Sequence, residues 1–251
     1  MKTYKSTISL VQNERGIRDL DPFKGCYFGT LKHKNGCYWL CYAARIARSR
    51  WYDFAKVVYR NFESQKQIES IWAKLAKVPF VRLWTMCDPS HDRDHTVKIV
   101  NTIKPYISLE KIVIITKHFK LLTLEQLEDL RWTCINVSIS ALDTLQEINH
   151  RLRQYELFKK YWNSILRVNT CDFTSWLFPS ERKIIQDMLL KRDKVIDNVL
   201  RMPKSSKYVE WLLVNVKKED FMWKTVYASK HDKDVFMWKC GDCIEQCGVG
   251  M

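Results

Sequence analysis

The chain has 251 residues, of which 46% are hydrophobic and 13% aromatic, with only 7 glycines and 6 prolines. This composition excludes a disordered or fibrous protein and predicts a folded chain with a sizeable core. The 42 Lys and Arg outnumber the 28 Asp and Glu, and the resulting net charge of +14 favours polyanionic partners, nucleic acid above all. Signal-peptide and long apolar segments are absent from the sequence, so we expect a cytoplasmic protein with no membrane segment.

The first predicted elements in chain order are two helices, and strands follow them. Apolar residues at helical spacing predict one helix over about residues 42–62 and a shorter one over residues 65–76. The period then changes, and β-branched apolar runs such as "KIVIIT" are typical of parallel strands buried on both faces. The predicted strands cover residues 80–87, 111–116, 134–140 and 164–171, with a further one over 208–216.

Helices are predicted between and after these strands. One helix ends near Lys104, and the others cover residues 124–131, 141–162 and 180–201. The last of these starts with a serine cap at Ser180. This alternation indicates βα units and a parallel sheet. We therefore predict an α/β fold, a partial (β/α) barrel of about six parallel strands over residues 1–228. A cysteine-bearing C-terminal extension is predicted over residues 229–251.

Polar loops follow the carboxyl ends of the predicted strands. Their sequences are "DPSHDRDH", "KHFKLL", "ALDT" and "DFTSW". Because the loops after parallel strands form the active face of such folds, we expect these four loops to meet at one rim.

Three cysteines lie in the early stretch "GCYFGTLKHKNGCYWLCYAARIAR", which runs directly into a predicted helix. Cys26, Cys37 and Cys41 are separated by ten and three residues. In a reducing compartment such a group favours metal ligation over disulfides, and soft thiolates suit an iron–sulfur cluster. Three ligands on a four-iron cluster leave one iron open for a substrate or cofactor. A zinc site completed by His33 is the alternative.

The cysteine loop and the segments after it resemble the radical S-adenosylmethionine (AdoMet) superfamily. The similarity is greatest to the branch of spore photoproduct lyase and small phage-borne proteins, in which the last cluster cysteine precedes Tyr-Ala and a basic helix, as in "CYAAR" here. It extends through "VRLWTMCDPSHD", "IVIITKHFKLL" and "INVSISALD", in the family's order. The spacing differs from the common three-then-two pattern, because Ala44 stands where that pattern needs a third thiol after Cys37 and Cys41. Aligning Cys41 with the last cysteine makes Cys26 the first.

The resemblance implies that Cys26, Cys37 and Cys41 hold a [4Fe–4S] cluster whose open iron binds AdoMet. An electron donor would then drive reductive cleavage of AdoMet to methionine and a 5′-deoxyadenosyl radical, while the protein orients the reaction and excludes water.

Further AdoMet contacts are predicted from position along the strands. Asp88 is a candidate for the ribose or the methionine ammonium, and its alternative role is a turn-forming Asp-Pro. Arg167 is a candidate for the methionine carboxylate, unless it faces solvent. Candidates for adenosine are Thr116, Lys117, Ser138 and Ser140, and the alternative is that their side chains only satisfy backbone groups.

A second thiol group lies near the C-terminus in "CGDCIEQCGVGM", where Cys240, Cys243 and Cys247 are separated by two and three residues. It suggests a second iron–sulfur cluster or a zinc site, with Asp242, His231 or an outside group as fourth ligand. A structural knot that pins the C-terminus is the alternative. The isolated thiols Cys87, Cys134 and Cys171 end or occupy apolar strands, which predicts core positions.

Two functions from different classes remain open on the sequence. The first is a radical AdoMet enzyme whose substrate is a nucleic acid, a nucleotide or a peptide. The second is a non-catalytic, zinc-containing nucleic-acid-binding protein. The ten tryptophans are compatible with base stacking in either one, although most lie among apolar neighbours.

Overall fold

The structure is a computed structural model of the chain. It describes residues 4–8, 10–12, 17–32, 37–75, 77–83, 86–117, 120–160, 163–174, 180–214, 225–229 and 246–249. Within these ranges, every helix is too short or too polar to cross a membrane.

Helices and strands alternate through most of the described chain. The helices are α1 (Tyr42–Ser49), α2 (Gln65–Leu75), α3 (Arg93–Ile103), α4 (Leu124–Asp129), α5 (Leu145–Lys159) and α6 (Ser180–Leu190). The strands are β1 (Tyr4–Thr7), β2 (Leu10–Gln12), β3 (Arg18–Leu20), β4 (Phe23–Lys24), β5 (Val58–Asn61), β6 (Val81–Leu83), β7 (Ile112–Thr116), β8 (Cys134–Ser140), β9 (Ser164–Thr170), β10 (Val195–Val199), β11 (Arg201–Pro203) and β12 (Thr225–Tyr227).

The main sheet has the strand order β10-β9-β8-β7-β6-β3-β2. Strand β2 is antiparallel to β3, and the other six strands are mutually parallel. The sheet has two different edge strands, so this barrel is open. The α/β fold with a partial barrel of six parallel strands is therefore as predicted. Two smaller sheets, β1-β5-β4 and β11-β12, lie beside it.

The two faces of the main sheet have different neighbours. One face joins the helices in the large apolar core, which includes Ile114, Val137 and Val168. The opposite, concave face begins at the amino ends of the strands with a separate apolar layer and becomes polar towards their carboxyl ends. Asp19 and Arg82 form a bidentate ion pair across β3 and β6 on this concave face, at 3.0 and 3.1 Å. All seven residues of β8 are buried, because both faces of this central strand are covered.

The structure corrects the predicted helix over residues 42–62. Helix α1 ends at Ser49, Trp51 adopts a positive φ of 56°, and Val58–Asn61 form β5. The helical spacing of Val57 and Val58 was misleading because β-branched residues also favour strands, and pairing with β1 and β4 decides between the two.

Two further predictions near the ends of the main sheet are corrected, and one strand was missed. The helix over residues 180–201 ends at Leu190, and Val195–Val199 form β10, the sixth parallel strand. The strand over residues 208–216 is a 3-10 turn at Val209–Trp211, followed by a bridge between Leu212 and Phe173. The short strand β3 was not predicted, because three residues carry too little pattern.

Candidate active site

The cysteine loop is built from short turns that bring its thiols to the start of α1. Cys26 precedes a 3-10 turn and its N–H donates to the Phe54 carbonyl at 2.8 Å, while the Cys37 N–H donates to the Phe28 carbonyl at 2.9 Å. Cys41 is the N-cap of α1, and its sulfur accepts from the Ala44 N–H at 3.4 Å. A helix N-terminus favours negative charge, so it stabilises a thiolate at Cys41.

Gly29 makes room for this arrangement. A Cβ at this position would lie 2.6 Å from the Phe54 ring and 3.0 Å from the Cys41 sulfur. Because the Phe54 side chain is itself buried in the small apolar cluster under the loop, neither neighbour is free to move far. The sequence "CYFGT" therefore requires a glycine for a reason of space.

The three thiols influence one another's protonation. Cys37 shares a hydrogen bond with Cys41, which raises the pKa of Cys37 and lowers that of Cys41. The pKa of Cys26 is raised to about 12, mainly by burial and next by repulsion from Cys37. The N–H groups of Asp88 and Gly29 face its sulfur and act to lower this pKa. Lys117 lowers the pKa of both Cys37 and Cys41. The loop thus gathers three sulfur donors beside one cation.

Asp88 links the loop after β6 to the end of β7. Its carboxylate accepts from the Ser90 N–H at 2.8 Å, the Ser90 hydroxyl at 2.5 Å, the Thr116 hydroxyl at 2.8 Å and the Lys117 N–H at 2.6 Å. The carboxylate is buried, and these donors compensate for its desolvation. The predicted turn role of Asp88 is present, and Thr116 is its direct partner.

Lys117 continues this network toward the next strand. Its ammonium lies 3.3 Å from the Asp143 carboxylate, which also accepts the Ser140 N–H at 2.8 Å and forms an ion pair with Arg151. Burial acts to raise the pKa of Asp143, but Arg151 and Lys117 outweigh it and hold this pKa below its ordinary value. The rims of β7 and β8 are joined by charge as well as by backbone pairing.

Ser138 and Arg167 are neighbours in register on β8 and β9, on the concave face. The Arg167 guanidinium donates to Asn198 at 2.6 Å and reaches the Cys247 sulfur at 3.9 Å. Asn198 donates to Asn169 at 2.9 Å, and Asn169 donates to the Ser138 hydroxyl at 2.8 Å. Arg167 therefore points into the barrel and not to solvent.

Ser140, by contrast, is fully buried and serves local structure. Its hydroxyl accepts from the Leu142 N–H at 3.2 Å and hydrogen-bonds the Cys171 sulfur. Cys134 and Cys171 are buried in apolar clusters, as the sequence predicted. Cys87 is half-buried and packs against the large apolar core and the cluster under the cysteine loop.

Several candidate ligands lie outside the described residues, namely His33, His231, Cys240, Asp242 and Cys243. Cys247 is described, and it lies on the concave face beside Arg167 and not at the cysteine loop. Across the described ranges, no three His, Cys, Asp or Glu side chains are arranged around one point as a single metal ion requires.

Sequence reasoning missed Asp143, Arg151, Asn169 and Asn198 as parts of the site. Asp143 stands in the predicted rim loop "ALDT", so its position was a usable signal. Arg151 lies near the middle of α5, and only helix packing reveals that it reaches the rim, where its guanidinium also donates to the Lys117 carbonyl at 2.9 Å.

These features define a class of fold, an open (β/α) barrel with polar groups and thiols at the carboxyl ends of its strands. No protein-family model and no curated protein matches the sequence. Among solved structures, the chain is similar to a mutant of spore photoproduct lyase with bound AdoMet and dinucleoside spore photoproduct. The TM-score is 0.52 with 10% identity, over 90% of this chain and 72% of that one. At 10% identity, this structural similarity establishes the fold alone.

Proposed function

We propose that this chain is a radical AdoMet enzyme. The observation that carries the proposal is the gathering of the Cys26, Cys37 and Cys41 thiols at the start of α1, beside Lys117 and the Asp88 loop. The fold supports it, because spore photoproduct lyase has the same architecture and was solved with AdoMet bound.

The donor set fits a [4Fe–4S] cluster. Three thiols come from one loop, Gly29 leaves room beside Cys41, and the start of α1 and the Lys117 ammonium compensate negative charge on the sulfurs. Cys26, Cys37 and Cys41 would hold the cluster. The chemistry it supplies when bound, with an electron donor, is the reductive cleavage of AdoMet to methionine and a 5′-deoxyadenosyl radical.

The chain's own residues then bind and orient AdoMet. Arg167, held by Asn198 at 2.6 Å, presents a cation on the concave face for the methionine carboxylate, with Ser138 next to it. Lys117 stands at the rim for the ribose or adenine, whereas the buried Ser140 acts only by holding the end of β8 in place. The carboxylate of Asp88 is engaged by its four donors, so in this proposal Asp88 and Thr116 act mainly by fixing the rim on which AdoMet rests.

A nucleic-acid substrate is supported by a ladder beside the cysteine loop, in which each of two cations is followed by a pair of aromatic rings. Arg48 lies 5.6 Å from the Tyr38 ring, and Tyr38 meets Trp39 edge to face at 4.9 Å. Lys207 lies 5.8 Å from Trp39 and 5.1 Å from Tyr208, which contacts Trp211 at 5.4 Å. Such surfaces bind single strands by stacking bases and neutralising phosphates, in agreement with the net charge of +14.

The decisive experiment is anaerobic reconstitution with iron and sulfide, followed by dithionite and AdoMet and assay of 5′-deoxyadenosine. Wild-type protein should be brown and form this product, and Cys26→Ala, Cys37→Ala and Cys41→Ala should not. The matched control is Cys87→Ala, a nearby thiol that should leave product formation intact. Colourless protein that contains zinc instead would overturn the proposal in favour of the zinc-containing binding protein.

The substrate class is tested by fluorescence anisotropy with a labelled single-stranded oligonucleotide. Removal of one stacking ring costs about 1–3 kcal/mol, so Trp39→Ala should weaken binding by roughly five- to 150-fold. The matched control is Trp132→Ala, which removes an exposed ring that also has an arginine partner, 5.1 Å away. Equal weakening by both variants would contradict the ladder as the binding surface.

The C-terminal cysteines Cys240, Cys243 and Cys247 remain a proposed second metal site in the extension over residues 229–251. Iron, sulfide and zinc analysis of a Cys240→Ala, Cys243→Ala double variant tests it. The product assay should be preserved while the metal content falls.

A further inference from the structure

The concave face starts with a layer of apolar side chains at the amino ends of the six parallel strands. Val113, Cys134, Ile165 and Ile196 come from β7 to β10, while Ile17 and Phe80 immediately precede β3 and β6. In a complete barrel such layers fill the interior from all sides. Here β10 and β2 are edge strands, so the sheet by itself leaves the layer open.

The C-terminal residues Gln246–Gly248 and Val249 fill this position. The Cys247 carbonyl accepts from the Asn136 amide at 2.9 Å and from the Cys134 thiol at 3.4 Å. The Gly248 carbonyl accepts from the Asn163 amide at 3.1 Å. Cys247 and Val249 also pack against the apolar layer. The segment is therefore bound both by hydrogen bonds and by apolar contact.

Gly248 shows how closely the segment approaches the sheet. Its φ is +86°, and a Cβ there would lie 2.3 Å from Ile165 Cγ1 and 3.3 Å from the Cys134 sulfur. Both the backbone conformation and the space therefore demand glycine. A segment in looser contact with the sheet would leave space for a Cβ at this position.

We infer that residues 246–249 are the floor of the barrel, an intrinsic plug that completes the apolar layer and closes the amino end of the chamber. The chamber's use rests on the proposed function, since the proposed AdoMet site occupies the opposite, carboxyl end. Closing the amino end keeps water away from the concave face around Arg167, whose guanidinium lies 3.9 Å from the Cys247 sulfur.

The test measures modification of Cys134 by a thiol reagent under native conditions, mapped by mass spectrometry. Cys134 has 0% exposure and should be protected in the wild type. We expect at least roughly a tenfold faster modification in Gly248→Ala, because a loss of about 1.4 kcal/mol of docking energy corresponds to a tenfold change in the open population. A chain that stops after residue 245 should show the same or a larger increase.

Cys171 is the internal control, because it is 4% exposed and lies in a different apolar cluster. Unchanged protection of Cys134 in both variants would overturn the inference, and so would an equal rise at Cys171, which reports loss of the whole fold. Cys247→Ser should keep Cys134 protected, because the docking bonds use its carbonyl; exposure in that variant would assign the docking to the thiol instead. The assay needs neither cluster nor AdoMet, so its result is independent of the proposed activity.

Discussion

The Asp88 carboxylate accepts a 2.8 Å hydrogen bond from the Thr116 hydroxyl, and this contact ties the loop after β6 to the end of β7. The Asp88 N–H also faces the Cys26 sulfur. Asp88 thus fixes the position of Cys26, the first proposed cluster ligand, relative to β7. The rim of the site depends on this bond.

We therefore expect Asp88→Asn to lower the free energy of unfolding by about 1–3 kcal/mol, because an amide group would face the Ser90, Thr116 or Lys117 donors without accepting from them. Urea denaturation measures the change. Asp53→Asn is the control, since Asp53 also accepts a backbone N–H but on an exposed turn, at 3.0 Å from Ala55. A loss no greater than that of the control would refute the role of Asp88.

The buried pair of Asp143 and Arg151 gives a pH-dependent prediction. Asp143→Asn removes the nearer carboxylate of the buried Arg151 and leaves it Glu147 at 3.7 Å, so we expect a loss of about 3 kcal/mol at pH 7, the lower end for a broken buried pair. The pKa of Asp143 is lowered in the fold, so its stabilisation is complete above the unfolded value of about 3.9 and disappears as the pH falls through the folded value. The difference between wild type and variant should therefore shrink below about pH 4.

Unfolding curves at several pH values measure this difference. Asp193→Asn is the matched control, because Asp193 is 76% exposed in its ion pair with Lys159 and its loss should change stability little. If the gap between wild type and Asp143→Asn stays constant down to acidic pH, the ion pair is not its source.

Gly29→Ala should impair cluster loading, because its Cβ would meet the Phe54 ring at 2.6 Å and displace the Cys41 sulfur. We expect most of the iron and sulfide to be lost after anaerobic reconstitution. Combining it with Phe54→Leu, which opens space, should restore part of the metal. Full iron content in the single variant would show that the Cys41 position tolerates the extra methyl.

Arg167→Lys should weaken AdoMet binding roughly ten- to 150-fold, since a charge-assisted hydrogen bond contributes about 1.5–3 kcal/mol and lysine loses the fork geometry held by Asn198. Equilibrium dialysis with cluster-loaded protein measures the dissociation constant. Arg192→Lys, at an exposed pair with Glu156, is the control. An unchanged constant for Arg167→Lys would remove Arg167 from the proposed AdoMet contacts.

The strand predictions were accurate where the residue pattern is typical of a strand and not also of a helix. "CINVSIS" is β8 over its whole length, and "IVIIT" is β7, because continuous β-branched runs bury both faces of a parallel sheet. The helix predictions were wrong at residues 57–62 and 195–199. There the apolar spacing suits a helix as well as a strand, and only hydrogen bonding to β1 and β4 or to β9 selects the strand.

The same division applies to the site. The sequence by itself predicted the candidate donors, three thiols near a helix start and polar residues after each strand, because spacing and residue chemistry are local properties. Only the tertiary structure decided that Arg151 reaches Asp143, that Arg167 lies on the concave face of the sheet, and that the C-terminal residues cover its apolar layer. These relationships join segments far apart in the chain, and their energies depend on burial and distance, which no local pattern records.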